Sequence, residues 1–407
     1  MKIKSILTYI LVFFTIFEGG DVKFYLNDNL FLILMLIFAG YFFMMVLMKR
    51  KQDNTIIKYA LVLIILIILN LLLNDFSLNS ISTYIGQIIR IFIALIIATI
   101  ISYDEFSDKF IKLIVLICIT SLAFYMIGYL NNNFRYIFPV IQKDSGSRFG
   151  NAILYSYNLD PNILSVTRNS SIFNEPGKFQ IFISIALFFE LAKNQFKNKK
   201  RLILFIITML TTGSSTGLIC LILIFSGKIF EGKKIKSIYK GLILTALIAL
   251  IFSSQFQTDI LTKFNEDNTS YARRNTDYLI DLQIMKTNPI LGVGIEKYNL
   301  LFNDMVRFQT LKNYGNTVQS SSNSLTAGLA LYGLVFVTLI LWGIYRFLKR
   351  YYYGRGLALT LSFCIFLIIC ASQNVLMTIL ILLISIYGFK KSTHTNINFI
   401  LRKEEIN

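Results

Sequence analysis

The sequence is poor in the residues that build disulfide scaffolds and metal centres. Its 407 residues include four Cys and one His, with no CxxC pair and no HExxH motif. A disulfide-stabilised fold, a zinc site and a haem site are therefore not indicated. Neither GxxxxGK[ST] nor GxGxxG occurs, so no nucleotide-binding motif is present.

Charged residues are also scarce, at 15% of the chain, whereas 55% of the residues are apolar. The apolar residues form long uninterrupted runs, which predict an all-α polytopic membrane protein. We expect a single integral membrane domain over residues 1–407. The twelve predicted transmembrane helices are 5–18, 30–48, 56–73, 82–101, 110–130, 177–192, 202–213, 217–229, 241–253, 326–345, 356–370 and 375–389.

The distribution of Lys and Arg predicts the orientation of these helices. With the N-terminus inside, the cytoplasmic segments hold 26 of the 40 Lys and Arg residues, and the short outer loops hold only Lys23. This positive-inside pattern predicts that both termini lie in the cytoplasm. It accounts for the net charge of +18 without nucleic acid.

Residues 202–229 fit either a helical hairpin or one long helix. One helix would place the five lysines of residues 228–240 outside, against the positive-inside pattern, so the hairpin is favoured. Its turn, Thr211–Gly217, is rich in hydroxyl groups and small residues. Close helix packing and anion binding by these groups are both open interpretations.

Two long outer loops interrupt the predicted spans, loop A at residues 131–176 and loop B at 254–325. Loops of this length in a compact protein are usually functional. Their basic and acidic residues are nearly equal in number, which argues against a generic basic patch. We therefore expect the chemistry of this protein on the outer face.

Three positions in this sequence carry charges with more than one interpretation. Glu175 precedes Pro176 at a predicted helix start, where it is either a helix-cap residue or a carboxylate that accepts a proton. The Arg273-Arg274 pair is either solvated surface or a clamp for a diphosphate. Arg90 lies within the fourth span. Because a charge facing lipid is costly in free energy, we expect its side chain to face the bundle interior, in a substrate cavity or in an interhelical bond.

Four motifs in chain order resemble those of bacterial O-antigen and capsular polysaccharide polymerases, members of the O-antigen polymerase–ligase superfamily. The first is similar to the F-x-E-P-G-x-F signature of that family, and the others to its T-x-S-R/S-T-G, R…P-L-x-G-x-G and H-N-x-x-L…G-x-x-G segments. The corresponding stretches are 170–179 (SSIFNEPGKF), 210–217 (LTTGSSTG), Arg274 with 288–294 (NPILGVG), and 321–325 (SSNSL) with 331–334 (LYGL).

The resemblance implies a C-type glycosyltransferase fold in the cytoplasmic (inner) membrane and a metal-independent, inverting glycosyltransferase without cofactor. Such an enzyme polymerises undecaprenyl-diphosphate-linked oligosaccharide repeat units into O-antigen, capsular or exopolysaccharide. Donor and acceptor are both lipid-linked, and a chain-length regulator is a further partner that the sequence does not decide. The sugar, its linkage and the polymer are also left open.

The resemblance also implies roles for particular residues. Glu175 would be the base and Arg274 would stabilise the leaving diphosphate. The chain departs from the family pattern at Ser215, where an arginine is frequent, and at Ser322, where ligases have a histidine. The residues expected to bind diphosphate or substrate are Arg273, Arg168, Arg90, Ser215, Ser322 and Asn323.

Two other functions remain as alternatives. An O-antigen ligase-type glycan transferase shares the superfamily, but the missing histidine argues against it. A transporter of lipid-linked glycans predicts polar groups spread through many spans and an internal repeat, neither of which the sequence shows.

Overall fold

The structure, a computed structural model of the chain, describes residues 2–20, 28–47, 53–74, 78–142, 148–152, 155–159, 168–173, 175–231, 269–309, 321–352 and 356–391. Within these ranges the chain is mainly helical. The first eight helices are α1 (Lys2–Gly19), α2 (Asp28–Leu47), α3 (Asn54–Asn74), α4 (Leu78–Ile100), α5 (Tyr103–Leu130), α6 (Pro176–Asn194), α7 (Lys199–Thr211) and α8 (Ser215–Glu231). The later helices are α9 (Thr269–Met285), α10 (Ile295–Gln309), α11 (Ser324–Tyr351), α12 (Leu357–Ser372) and α13 (Ile379–Tyr387).

The described helices are those of a membrane protein. Four of them are long and apolar enough to cross a bilayer: Asn54–Asn74, Ser80–Ile100, Tyr103–Leu130 and Ser324–Tyr351. Shorter apolar stretches lie in α1, α2, α8 and α12. Helices occupy eleven of the twelve segments predicted as spans. The twelfth, 241–253, lies outside the described residues, so the number of spans stays a prediction.

The structure refines the predicted boundaries of two helical segments. Between α7 and α8, Gly213 has a φ of +56°, and the Met209 side chain packs against Gly217. The segment 202–229 is therefore a hairpin of two helices. The last predicted span, 375–389, contains only the nine residues of α13. At ~1.5 Å per residue this helix is about half as long as a ~30 Å hydrocarbon core.

Loop A contains a small antiparallel sheet, which the all-α prediction lacked. Its strands β1 (Val140–Gln142), β2 (Arg148–Asn151) and β3 (Ser156–Asn158) are hydrogen-bonded in that order. Tyr157 of β3 stacks on Phe138 with ring centroids 5.7 Å apart, so aromatic packing holds the sheet. The amide of Ser156 donates to the carbonyl of Ser171 (2.8 Å), which fixes residues 168–173 beside the sheet.

Helix α11 is broken at Gly333, whose φ of +79° and ψ of 173° lie outside the helical region. The break would orphan two amides and two carbonyls of the helix ladder, which cannot remain unpaired inside a membrane. Residues 289–294, which we call the docked segment, supply the four missing partners. The bonds run from Val293 N to Ala330 O (2.9 Å), Gly294 N to Leu331 O (3.1 Å), Leu334 N to Pro289 O (2.8 Å) and Val335 N to Ile290 O (3.4 Å).

Glycine is required on both sides of this junction. A Cβ on Gly292 would lie 2.3 Å from the Leu331 carbonyl oxygen, and one on Gly333 would lie 2.2 Å from the Ile290 oxygen. The Asn70 side chain of α3 adds bonds to the carbonyls of Leu291 (2.5 Å) and Leu331 (3.0 Å). The NPILGVG motif therefore has a structural role: it attaches α9 and α10 to the broken helix.

Candidate functional site

Glu175 is the residue immediately before α6. Its backbone occupies the N-cap position, and its carbonyl accepts from the amides of Lys178 (3.1 Å) and Phe179 (3.3 Å). Its side chain makes no capping hydrogen bond and is exposed. The cap interpretation therefore holds for the backbone alone, and the helix does not use the carboxylate.

The chain that leads to Glu175 is held by aromatic packing. Phe173 is fully buried and stacks on Phe182 of α6, with ring centroids 4.9 Å apart and planes at 9°. It also stacks on Phe179 at 5.3 Å. Because Phe173 lies two residues before Glu175 and both partners lie on α6, this packing fixes the turn that presents the carboxylate.

Asn169 joins loop A to the α7–α8 hairpin. Its amide nitrogen donates to the Thr211 carbonyl (2.9 Å), and its side-chain Nδ2 donates to the hydroxyls of Thr211 (3.1 Å) and Ser121 (3.2 Å). Its Oδ1 accepts from the amide of Ser171 (3.1 Å). The residue is fully buried and makes bonds to both elements, so it sets the distance between them.

Arg168 lies across the hairpin turn. Its Nε donates to the Thr212 carbonyl (2.9 Å), and a Cβ on Gly213 would meet its side chain at 3.4 Å. Among the described residues, none hydrogen-bonds to its two terminal amino groups. A guanidinium held by Nε keeps that pair of donors for an anion with two neighbouring acceptor oxygens, such as a phosphate.

Three charged side chains form what we call the charge cluster: Arg168, Glu175 and Arg274. Arg168 interacts electrostatically with each of the other two. Desolvation of its guanidinium lowers the pKa of Arg168; Glu175 opposes this shift and the like charge of Arg274 adds to it. Two cations beside one carboxylate leave a local excess of positive charge, which favours a bound anion.

Arg274 is exposed on α9, next to Arg273. The backbone of Arg273 lies in the same helix, and its side chain lies outside the described residues. The structure therefore brings together Glu175, Arg168 and Arg274, which come from three separate stretches of the sequence. The predicted role of Arg273 stays a prediction.

Two carboxylates below Arg274 anchor α9, and their function was missed in the sequence. Asp277 and Asp281 are both fully buried. Asp277 accepts from the amide (2.8 Å) and hydroxyl (2.7 Å) of Ser322. Asp281 accepts from the hydroxyls of Tyr298 (2.6 Å), Ser321 (2.8 Å) and Thr326 (2.7 Å). The available signal was the spacing of two Asp one helical turn apart, followed by a run of three Ser.

This Asp277–Asp281 cluster is electrostatically strained. Burial, helped by the neighbouring Asp277, raises the pKa of Asp281 to about 6 against the lowering effect of the three hydroxyl donors. The pKa of Tyr298 is also raised, first by burial and then by Asp281. The cluster therefore holds α9 through a carboxyl group, that of Asp281, whose charge changes near pH 6.

Two predicted binding residues, Ser322 and Asn323, have roles within the protein itself. Ser322 bonds to Asp277, and the Asn323 side chain caps α11 by accepting from the amides of Leu325 (3.1 Å) and Thr326 (3.2 Å). Ser215 is half-buried at the first position of α8, beside the hairpin turn. Contacts of these residues with a substrate stay predictions.

Arg90 pairs with a carboxylate. Its Nε lies 2.7 Å from Oε1 of Glu18, at the end of α1. The other oxygen of Glu18 accepts from the amide of Ile379 (3.0 Å), the first residue of α13. Gln87 and Ala94, on the same face of α4, are buried. The geometry thus favours the interhelical bond, since the charge of Arg90 is already compensated.

Comparison with known proteins gives no family. Neither the models of known protein families nor the curated protein sequences contain a match to this chain. No cluster of His, Cys, Asp or Glu suited to a metal ion occurs among the described residues.

Proposed function

We propose that this protein is a lipid-linked oligosaccharide polymerase, which joins undecaprenyl-diphosphate-linked repeat units into O-antigen, capsular or exopolysaccharide. The observation that carries the proposal is the charge cluster. It combines a carboxylate that the helix does not use with two arginines, and no described residue hydrogen-bonds to the terminal donors of one of them, Arg168. The motif resemblance supplies the substrate class.

The proposed reaction transfers the growing chain from one lipid carrier to the next repeat unit. An acceptor hydroxyl attacks the anomeric carbon of the donor, the bond from that carbon to the diphosphate oxygen breaks, and the configuration inverts. Glu175 accepts the proton of the hydroxyl. Arg274 and Arg168 stabilise the charge that develops on the departing undecaprenyl diphosphate.

The predicted topology supports this assignment. With twelve spans and a cytoplasmic N-terminus, Glu175, Arg168 and Arg274 all lie at the outer face of the cytoplasmic membrane. The outer ends of α6 and of the hairpin then form the floor of the site. A lipid-linked donor would enter from the bilayer with its diphosphate at the level of the arginines.

The test of this function is the glycan profile of a strain that lacks the chain, separated by size and by attachment. We expect single repeat units only, with long polymer restored by the intact gene. Full-length polymer that remains on its lipid carrier would instead indicate a ligase-type transferase. An unchanged profile would refute both enzymes.

Replacing the base tests the role of Glu175. Glu175→Gln keeps the shape of the side chain and removes the proton acceptor, so we expect polymer formation to fall by about 10²–10⁴-fold. Glu296→Gln is the matched control, because Glu296 is also exposed and lies in the first turn of a helix. Normal chain length in Glu175→Gln, at wild-type protein levels in the membrane, would remove Glu175 from the mechanism.

Replacing Arg274 tests the diphosphate contact. Arg274→Lys keeps the charge but loses the paired donors, so we expect roughly a 10–100-fold loss of activity. Arg148→Lys is the control, since Arg148 is an exposed arginine of strand β2 outside the charge cluster. Equal activity of the two variants would make Arg274 an ordinary surface residue.

A further inference from the structure

Gln373 is a buried polar residue close to the candidate site. It ends α12 in an extended conformation, and only 6% of its surface is exposed. Among the described residues, none forms a hydrogen bond with its side-chain amide. An amide that no described residue binds keeps its donors and acceptor for a ligand.

The Gln373 amide lies beside Glu175. A Cβ built on Gly177 would be 2.5 Å from Nε2 of Gln373 and 4.0 Å from the carboxyl carbon of Glu175. The amide and the carboxylate therefore border the same point at the start of α6. The glycine of the EPG motif provides the space that the amide occupies.

The segment that carries Gln373, residues 373–378, is fixed at both ends. Near its start, the Ser324 hydroxyl donates to the Cys370 carbonyl (2.7 Å) and accepts from the amide of Leu376 (3.1 Å). At its end, the Ile379 amide donates to Glu18 (3.0 Å). A side chain on such a segment is held in place before a substrate arrives, which is what a positioning group needs.

We propose that Gln373 binds the acceptor sugar next to Glu175, an inference that rests on the proposed function. A primary amide donates and accepts hydrogen bonds, which matches a sugar hydroxyl. Gln373 binds a ring hydroxyl of the acceptor while Glu175 receives the proton of the attacking hydroxyl. The amide thereby selects how the acceptor lies against the base.

The first experiment separates hydrogen bonding from packing. Single-repeat lipid extracted from the deletion strain serves as substrate for the full chain purified in detergent. Gln373→Met keeps the length of the side chain and loses both polar groups, so we expect KM to rise about 10-fold, with a smaller change in kcat. Asn374→Ala, at the exposed neighbouring position, should leave KM unchanged. A wild-type KM for Gln373→Met would overturn the proposal.

The second experiment uses Gly177. Gly177→Ala places a methyl group on the Gln373 amide, so we expect a similar rise in KM. The double variant Gly177→Ala/Gln373→Ala should be no worse than Gln373→Ala alone, because the displaced group is already absent. Additive losses would show that the two residues act separately and would contradict the proposal.

Gly328→Ala is the control for general displacement of the segment. Its methyl group would meet the Leu376 side chain at 2.6 Å, so it crowds the same segment on its apolar side. We expect its KM to stay within about twofold of wild type, since a flexible apolar side chain can move. A rise equal to that of Gly177→Ala would mean that movement of the segment, and not the amide, is responsible.

The two proposals fail in different ways. If the intact protein does not elongate the single-repeat lipid, the proposed function and the role of Gln373 are both refuted. If it elongates the lipid and Gln373→Met does so with the same KM, only the role of Gln373 is refuted.

Discussion

The strongest prediction concerns how pH acts on α9, the helix that carries Arg274. Burial raises the pKa of Asp281 from 3.8 to about 6. Asp281 therefore binds a proton more tightly when α9 is packed against the start of α11 than when it is detached. The contribution of Asp281 to this packing of α9 is fully present below pH 3.8 and is lost as the pH rises through about 6.

The size of this effect follows from the two pKa values. Between pH 5 and pH 7.5 the loss amounts to about 1.4 kcal/mol, or roughly a tenfold increase in the opening of α9. The facing groups are Asp277 on the same helix, Tyr298 on α10, and uncharged hydroxyls at the start of α11. Tyr298 stays neutral over this range because its pKa is raised.

Hydrogen exchange of the α9 amides in detergent measures the opening, once the rates are corrected for the intrinsic effect of pH. Asp281→Asn removes the titrating group, so we expect the dependence on pH to flatten. Asp281→Ala removes the acceptor of three hydroxyls and should ease opening by about 3 kcal/mol at pH 5. Protection that increases with pH, or an equal slope in Asp281→Asn, would refute the linkage.

Three further predictions concern stability and can be checked by thermal unfolding in detergent. Gly333→Ala should lower the free energy of unfolding by more than about 3 kcal/mol, because its methyl group would meet the Ile290 carbonyl at 2.2 Å. Gly356→Ala is also at positive φ but has open space around it, so it should lower the free energy of unfolding by about 1 kcal/mol. Asn70→Leu should cost about 1–3 kcal/mol, since two carbonyls of the broken junction lose their side-chain donor. Ser171→Gly should stabilise by about 1 kcal/mol by relieving a φ of +54°; an equal or lower melting temperature would contradict this.

The helices of this protein could be predicted from apolar runs because a bilayer demands long apolar stretches. Pro176 marked the start of α6 correctly, since proline fits the first turn of a helix. The break at Gly333 could not be predicted. Its neighbours are apolar on both sides, so hydropathy alone describes one continuous helix, and the docked segment that replaces the missing bonds lies some forty residues earlier in the sequence.

The candidate site could be predicted only in part, because spacing in a sequence does not give distance in space. Glu175 and Arg274 were chosen one by one from their local patterns. That Arg168 interacts with both depends on Asn169 and the hairpin turn, whose bonds are long-range. Arg90 was expected inside the bundle. Its partner Glu18 could not be predicted, because it lies 72 residues away in the sequence, at the end of α1.

The position of Arg274 depends on two attachments of different kinds. The docked segment is held mainly by backbone bonds, whereas the Asp277–Asp281 cluster depends on the carboxylate side chains of two residues. Arg274 lies on the far side of that cluster from the docked segment, so opening of the cluster frees Arg274 while α9 stays attached through residues 289–294. The local loss of Arg274 from the charge cluster can therefore precede any global unfolding, and activity should respond to the state of Asp281 under conditions in which the membrane helices remain folded.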